Sequence, residues 1–178
     1  MQSFFMSSDQ LAEFPSQLVV GMADFAVSHD PALVLVSNPL GACLGIAIYD
    51  PAVKVGGLLH NLLPASSIDP QRAALRPGMF LDSGLAAMLA RAQQMGAKKE
   101  NLLVYVAGGA QIMDESTFFN IGQRNYQILG RLLMEMKLSI EAQQIGGRSN
   151  QIMQLHLDTG EVRLKASGQA KATLLCKP

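Results

Sequence analysis

Charge is scarce in this sequence and neither sign prevails: 16% of its 178 residues are charged, 14 Lys and Arg against 14 Asp and Glu. A nucleic-acid module would carry a basic excess, so that class is disfavoured and no nucleic-acid partner is expected. Long apolar runs are also missing. No stretch of about 18 uninterrupted apolar residues occurs, so no membrane insertion is expected. The opening segment, MQSFFMSSDQLAEFPSQ, has neither a basic n-region nor a continuous apolar core, which argues against a secretory signal. Cysteine is limited to Cys43 and Cys176, too few for a stapled secreted scaffold. Reduced thiols and a cytoplasmic location are expected instead. No Cys, His and Asp cluster has metal-ligand spacing. The GGAQ at 108–111 lacks both the lysine and the spacing of a phosphate loop. Neither a metal nor a cofactor is therefore expected.

What is present is apolar material and turns. Hydrophobic residues make up 49% of the chain, too many for disorder, and 178 residues suffice for one domain with a sizeable core. Sixteen glycines and eight prolines imply many tight turns. Residues 1–16 read as a flexible leader and 17–178 as a single domain. QLVVGMADFAV reads as a strand turning at Gly21. ALVLVS (32–37), CLGIAIYD (43–50) and KVGGLLH (54–60) read as strands bounded by Asp-Pro and Asn-Pro turn signals. Residues 64–78, rich in proline and small polar residues, read as an exposed loop.

Helical spacing appears twice. In 79–96, Leu81, Leu85, Met88, Leu89 and Ala92 share one face, and Gly96 suits the position just past the helix end. In 120–137 the stripe is Ile121, Ile128, Leu129, Leu132, Leu133 and Met136. A strand over 101–110 separates the two. LSIEAQQIGG, QIMQLHLDTGEVRLK (turning at Asp158-Thr159-Gly160) and ATLLCK read as the closing strands. The order of elements is not a regular βαβ repeat. It predicts a mixed α+β fold of the α/β kind: a layered sandwich with a mixed sheet core and two main helices packed outside.

Two residues carry candidate chemistry. Cys43 opens an apolar strand after Pro39-Leu40-Gly41-Ala42, a turn with little side-chain bulk. Free cysteine is among the most buried residue types, so core packing is one reading. A nucleophile is the other, because backbone N–H groups in such a turn can face an oxyanion. His60 lies seventeen residues later. If 43–50 and 54–60 form an antiparallel hairpin, the two become neighbours at its open end, where the imidazole can activate the thiol. His29 and His156 read as solvent-facing or structural, and GGRSN (146–150) as a glycine turn between strands.

These residues fall into an ordered set of motifs. VGMADFAV, LGACLGIAIYDP, VGGLLHNLLP, AGGAQI, NIGQRN and DTGEV follow one another in the order found in the chemoreceptor glutamine deamidases, the CheD family, which the chain resembles from about Val19 to Leu164. The resemblance implies an α/β sandwich with a cysteine–histidine pair at the surface. It places the nucleophile on Cys43 and the base on His60. The third active-site position, six residues before the cysteine, falls on Ser37, where the family has threonine; serine keeps the hydroxyl. Ala42 stands where the family usually has serine. Pro39 stands where glycine is common, which stiffens the loop and removes an N–H donor. Asn150-Gln151 occupy the family's Gly-Arg pair, unless Gly147-Arg148 represent it in a shifted register.

The implied reaction is acyl transfer from a glutamine side chain through a thioester, with hydrolysis of glutamyl methyl esters open to the same chemistry. The implied partners are the cytoplasmic helices of chemotaxis receptors and a CheC-type phosphatase. A non-catalytic adaptor binding the same partners is the alternative, and Pro39 and Ala42 are its best support.

Overall fold

The computed structural model describes residues 15–110 and 121–178. Most of the expected leader, residues 1–14, therefore lies outside the described residues, and Ser16 already belongs to the first strand.

The strands are β1 (Ser16–Val20), β2 (Asp24–Ser28), β3 (Leu33–Ser37), β4 (Leu44–Asp50), β5 (Val55–Asn61), β6 (Leu103–Gly108), β7 (Ile140–Ile145), β8 (Gln151–His156), β9 (Val162–Ala166) and β10 (Thr173–Cys176). They form two five-stranded sheets, ordered β1-β3-β8-β9-β10 and β2-β5-β4-β6-β7. Both are mixed: β1 with β3 and β6 with β7 are parallel pairs, and the other pairings are antiparallel.

Alternation along β4 explains the layering. Leu44, Ile46 and Ile48 pack against α2 (Leu81–Gln94) and α3 (Ile121–Glu135), together with Leu81, Leu85, Met88, Leu129 and Leu133. Ala47 and Tyr49, on the opposite face, pack against Leu35, Met153, Leu155 and Leu157 of the facing sheet. A strand buried on both faces reads as an unbroken apolar run, as LGIAI does. The result is helix layer, sheet, sheet: the expected sandwich, with both main helices on one side.

Three local expectations change. The strand expected to run through Gly21 is two strands, because the chain crosses at residues 21–23 from β1 in one sheet to β2 in the other. The exposed loop expected over 64–78 is largely ordered into α1 (Pro70–Leu75), flanked by single 3-10 turns. Pro70 sits at the helix start, where no N–H is required, and the Asp69 carboxylate accepts from the Arg72 N–H at 2.9 Å. The Asp82 carboxylate ties this segment to α2 by accepting from the Ser66 N–H at 2.8 Å and the Ser66 hydroxyl at 2.7 Å. Side-chain capping of this kind overrides a composition rich in proline and serine. The third change is in burial at the cysteine–histidine pair, described next.

Candidate active site

Five strand ends meet at one edge of the sandwich. Ser37 ends β3, Cys43 precedes β4, His60 lies near the end of β5, Gly108 ends β6 and Gln151 begins β8. The hairpin expected from the turn signals is present: β4 and β5 pair antiparallel, with Gly45 opposite His60. Cys43 lies two residues before Gly45, in the bend that leads into β4, which puts it at the end of the hairpin where His60 shares a face with Gly45. That face is turned toward the other sheet, as the burial of Ala47, Tyr49 and Leu58 shows. The pair is therefore not at the surface, as the family resemblance implied: Cys43 is 9% exposed and His60 0%. Residues of β4 and β5 that share the cysteine's face are covered by the second sheet.

Ser37 approaches from that second sheet. It is 2% exposed and shares its face with Leu35, which packs between the sheets. Its hydroxyl oxygen accepts from the Met153 N–H at 2.9 Å, leaving the hydroxyl proton and a lone pair free. Among the described residues neither ring nitrogen of His60 has a hydrogen-bond partner. Asp24 stands opposite His60 in the β2–β5 register, with its carboxylate accepting from the Phe25 N–H at 2.8 Å.

Burial sets the charge state. It pulls the His60 pKa down to about 4, so the imidazole is neutral near pH 7. Burial also pushes the Cys43 thiol up, an effect partly offset by its own backbone N–H. The resting pair is thiol and imidazole rather than thiolate and imidazolium. A neutral histidine beside a thiol can accept its proton, and the buried imidazolium then formed is a strong acid toward a leaving group. Both thiols, Cys43 and Cys176, are free.

The cysteine loop is held from two sides. Leu40 and Gln151 exchange backbone hydrogen bonds, Leu40 N–H to Gln151 O at 2.6 Å and Gln151 N–H to Leu40 O at 3.0 Å. On the other side the Gly109 N–H donates to the Cys43 carbonyl at 2.9 Å and the Ala110 N–H to the Gly41 carbonyl at 2.8 Å. Gly108, with φ +103°, is where β6 turns against the loop, and a Cβ there would lie 2.3 Å from the Cys43 carbonyl oxygen. Only glycine fits.

The family model for CheD chemotactic sensory transduction matches residues 62–166, more than half of the chain. The chain belongs to the CheD family. Among curated CheD proteins, the probable chemoreceptor glutamine deamidase CheD 1 of Syntrophus aciditrophicus is 41% identical over 85% of this chain and 94% of its own length. The corresponding protein of Solibacter usitatus is 37% identical over 87% and 92%, and CheD 2 of Anaeromyxobacter dehalogenans 38% identical over 86% and 97%.

Several site residues gave little signal as residues. Gly108 and Gly109 belong to the AGGAQI motif, read from spacing only as failing to be a phosphate loop; their use is to brace Cys43. Asn61 and Asn125, both 0% exposed, donate through their side-chain amides to the carbonyls of Leu63 and Leu62, just past His60. Asn125 lies on the buried face of α3 and breaks the apolar stripe, which is the sequence signal that could have found it. Gln111 and residues 112–120, the rest of the AGGAQI motif and the start of NIGQRN, lie outside the described residues. Among the described residues no group of three or more His, Cys, Asp or Glu could hold a metal ion, and no helix is long and apolar enough to cross a membrane.

Proposed function

We propose that this protein deamidates glutamine side chains of chemotaxis receptors, with Cys43 as nucleophile, His60 as general base and acid, and Ser37 as the residue that orients the imidazole. The observation that supports this reading is that Ser37 at the end of β3, Cys43 just before β4 and His60 near the end of β5 belong to strand ends at the same edge of the two sheets. The names of the CheD relatives supply the substrate class.

The chemistry proceeds in two halves. His60 takes the Cys43 proton as the sulfur attacks the carboxamide carbon, and backbone amides around residues 42–44 stabilise the oxyanion. The imidazolium returns the proton to the nitrogen, ammonia leaves and a thioester remains. Water then gives a proton to His60 and attacks the thioester carbon. Cys43 leaves with that proton and the side chain is glutamate. A glutamyl methyl ester presents the same acyl carbon and is open to the same steps. Each turnover replaces a neutral side chain with a carboxylate, a change able to bias a receptor's packing.

Within this reading, residues 17–178 act as one catalytic domain working in the cytoplasm, where receptor helices are accessible. A CheC-type phosphatase is the second partner. The test is incubation of receptor cytoplasmic fragments with wild type, Cys43→Ala and His60→Ala, followed by mass spectrometry of the modified peptides. Conversion of glutamine to glutamate by wild type alone supports deamidation. Binding of the fragment by wild type with no conversion replaces this reading with the adaptor.

A further inference from the structure

Gln151 is a buried amide that the mechanism above does not use. It is 4% exposed, and its side-chain oxygen has no hydrogen-bond partner among the described residues. Along β8 residues 151, 153 and 155 are buried and alternate with half-buried neighbours, so Gln151 points into the space between the sheets. Two contacts fix its level. A Cβ on Gly45 would stand 3.3 Å from the Met153 sulfur, and the Tyr49 hydroxyl donates to the Leu157 carbonyl at 3.1 Å. β4 and β8 thus face each other across the two sheets and run in the same direction, 45 against 153 and 49 against 157. Cys43 lies in the bend just before β4 and Gln151 opens β8, so both stand at the same end of the two strands. The paired backbone bonds between Gln151 and Leu40 hold that level, three residues ahead of the cysteine.

A buried carbonyl without a donor costs about 1–3 kcal/mol, and a ligand N–H is what would relieve it. The substrate proposed for this site brings two N–H donors on its carboxamide nitrogen. Of the two polar groups that the second sheet brings to this end, the Ser37 oxygen already accepts from Met153, whereas the Gln151 oxygen accepts from nothing among the described residues.

We propose that Gln151 is the residue that selects an amide substrate: its Oε1 accepts a hydrogen bond from the carboxamide nitrogen of the substrate glutamine, setting the carbonyl carbon toward Cys43 Sγ. The inference rests on the deamidase reading and adds a specificity residue to it. An ester of the same side chain has no N–H to give, so it gains nothing from Gln151. Sites built to hydrogen-bond a substrate group discriminate strongly against analogues lacking it.

The test compares two substrates that form the same thioester. One is a receptor helix fragment carrying glutamine. The other is the same fragment with that residue as a γ-aryl glutamyl ester, whose leaving group carries no N–H. Wild type and Gln151→Met, a variant of similar length without an acceptor, are assayed on both. The readout is the ratio of amide to ester kcat/KM, in which the fraction of folded enzyme cancels. The expected result is a fall in that ratio of at least about tenfold, the loss of one hydrogen bond to the reacting group. Gln151→Leu repeats the measurement with a shorter apolar side chain. A smaller change in the ratio, with both substrates slowed together or neither slowed, overturns the proposal. Wild type that releases no ammonia from the glutamine fragment overturns the deamidase reading itself, a different outcome seen before any variant is made.

Discussion

Ser37 has one hydroxyl, whose oxygen accepts from the Met153 N–H and whose proton is, in the proposed reading, the one that turns toward His60. Removing the hydroxyl strips both. Ser37→Ala leaves a buried backbone donor unpaired, at a cost of about 1–3 kcal/mol, and removes the hydroxyl proposed to orient the imidazole. The expected outcome is lower unfolding stability in urea together with at least about tenfold slower glutamine conversion, a smaller loss than the roughly hundredfold or more expected for removing an acid–base group itself. Ser37→Thr, which keeps the oxygen, restores both; an alanine variant as stable and active as wild type would contradict the assignment. At this scale the sequence was partly legible. Cys43 and His60 emerge from the turn signals that close their hairpin, since antiparallel pairing fixes which residues become neighbours. Ser37 entered only through family resemblance, because its position depends on how two sheets face each other. Gln151 was hidden for the same reason.

Among the elements, β6 has a duty that its composition does not announce. It ends in Gly108, whose missing side chain makes room for the Cys43 carbonyl. Gly108→Ala is expected to destabilise the fold by about 2 kcal/mol or more, from the positive φ and the clash combined, and to shift the cysteine loop. Gly130 is the matched control. It lies exposed inside α3 with nothing within 4 Å of where an added methyl would sit, so Gly130→Ala is expected to stabilise by about 0.5–1 kcal/mol. Thermal unfolding of the two variants checks both signs, and equal effects would refute the brace. The main helices and central strands were readable because each has a periodic apolar stripe. α1 was not, since it depends on the Asp69 cap and has only one buried residue, Ala73. The split between β1 and β2 was equally silent, because a change of sheet leaves no mark on alternation.

For the whole molecule, the consequence of burying His60 is a stability that depends on pH. Its folded pKa of about 4 lies below the ordinary 6.5, so the unfolded chain binds the proton more readily. The stabilisation from a neutral His60 is fully present above about 6.5 and is lost as pH falls toward about 4, up to about 3 kcal/mol in all. Cys43 is neutral throughout this window, and Asp24 stands opposite His60 in the β2–β5 register. His156, lowered by burial first and by Arg163 second, adds a slope of the same sign. Urea denaturation at pH 7 and pH 4.5 should show wild type losing more stability than His60→Gln. Equal losses would mean that His60 is not buried in its neutral form. The sandwich as a whole was legible from apolar patterning; the buried placement of the cysteine–histidine pair was not, because alternation along a strand does not say whether a second sheet covers the face.

Cys43 as the nucleophile is the central claim, and parallel tracking of alkylation and activity tests it most directly. In a Cys176→Ser background, the protein is treated with iodoacetamide, and aliquots are scored for modification of Cys43 by mass spectrometry and for ammonia release from a receptor glutamine. The predicted result is a loss of activity that matches Cys43 modification in proportion, with modification faster as pH rises. Glutamine conversion that persists after Cys43 is fully alkylated would contradict it.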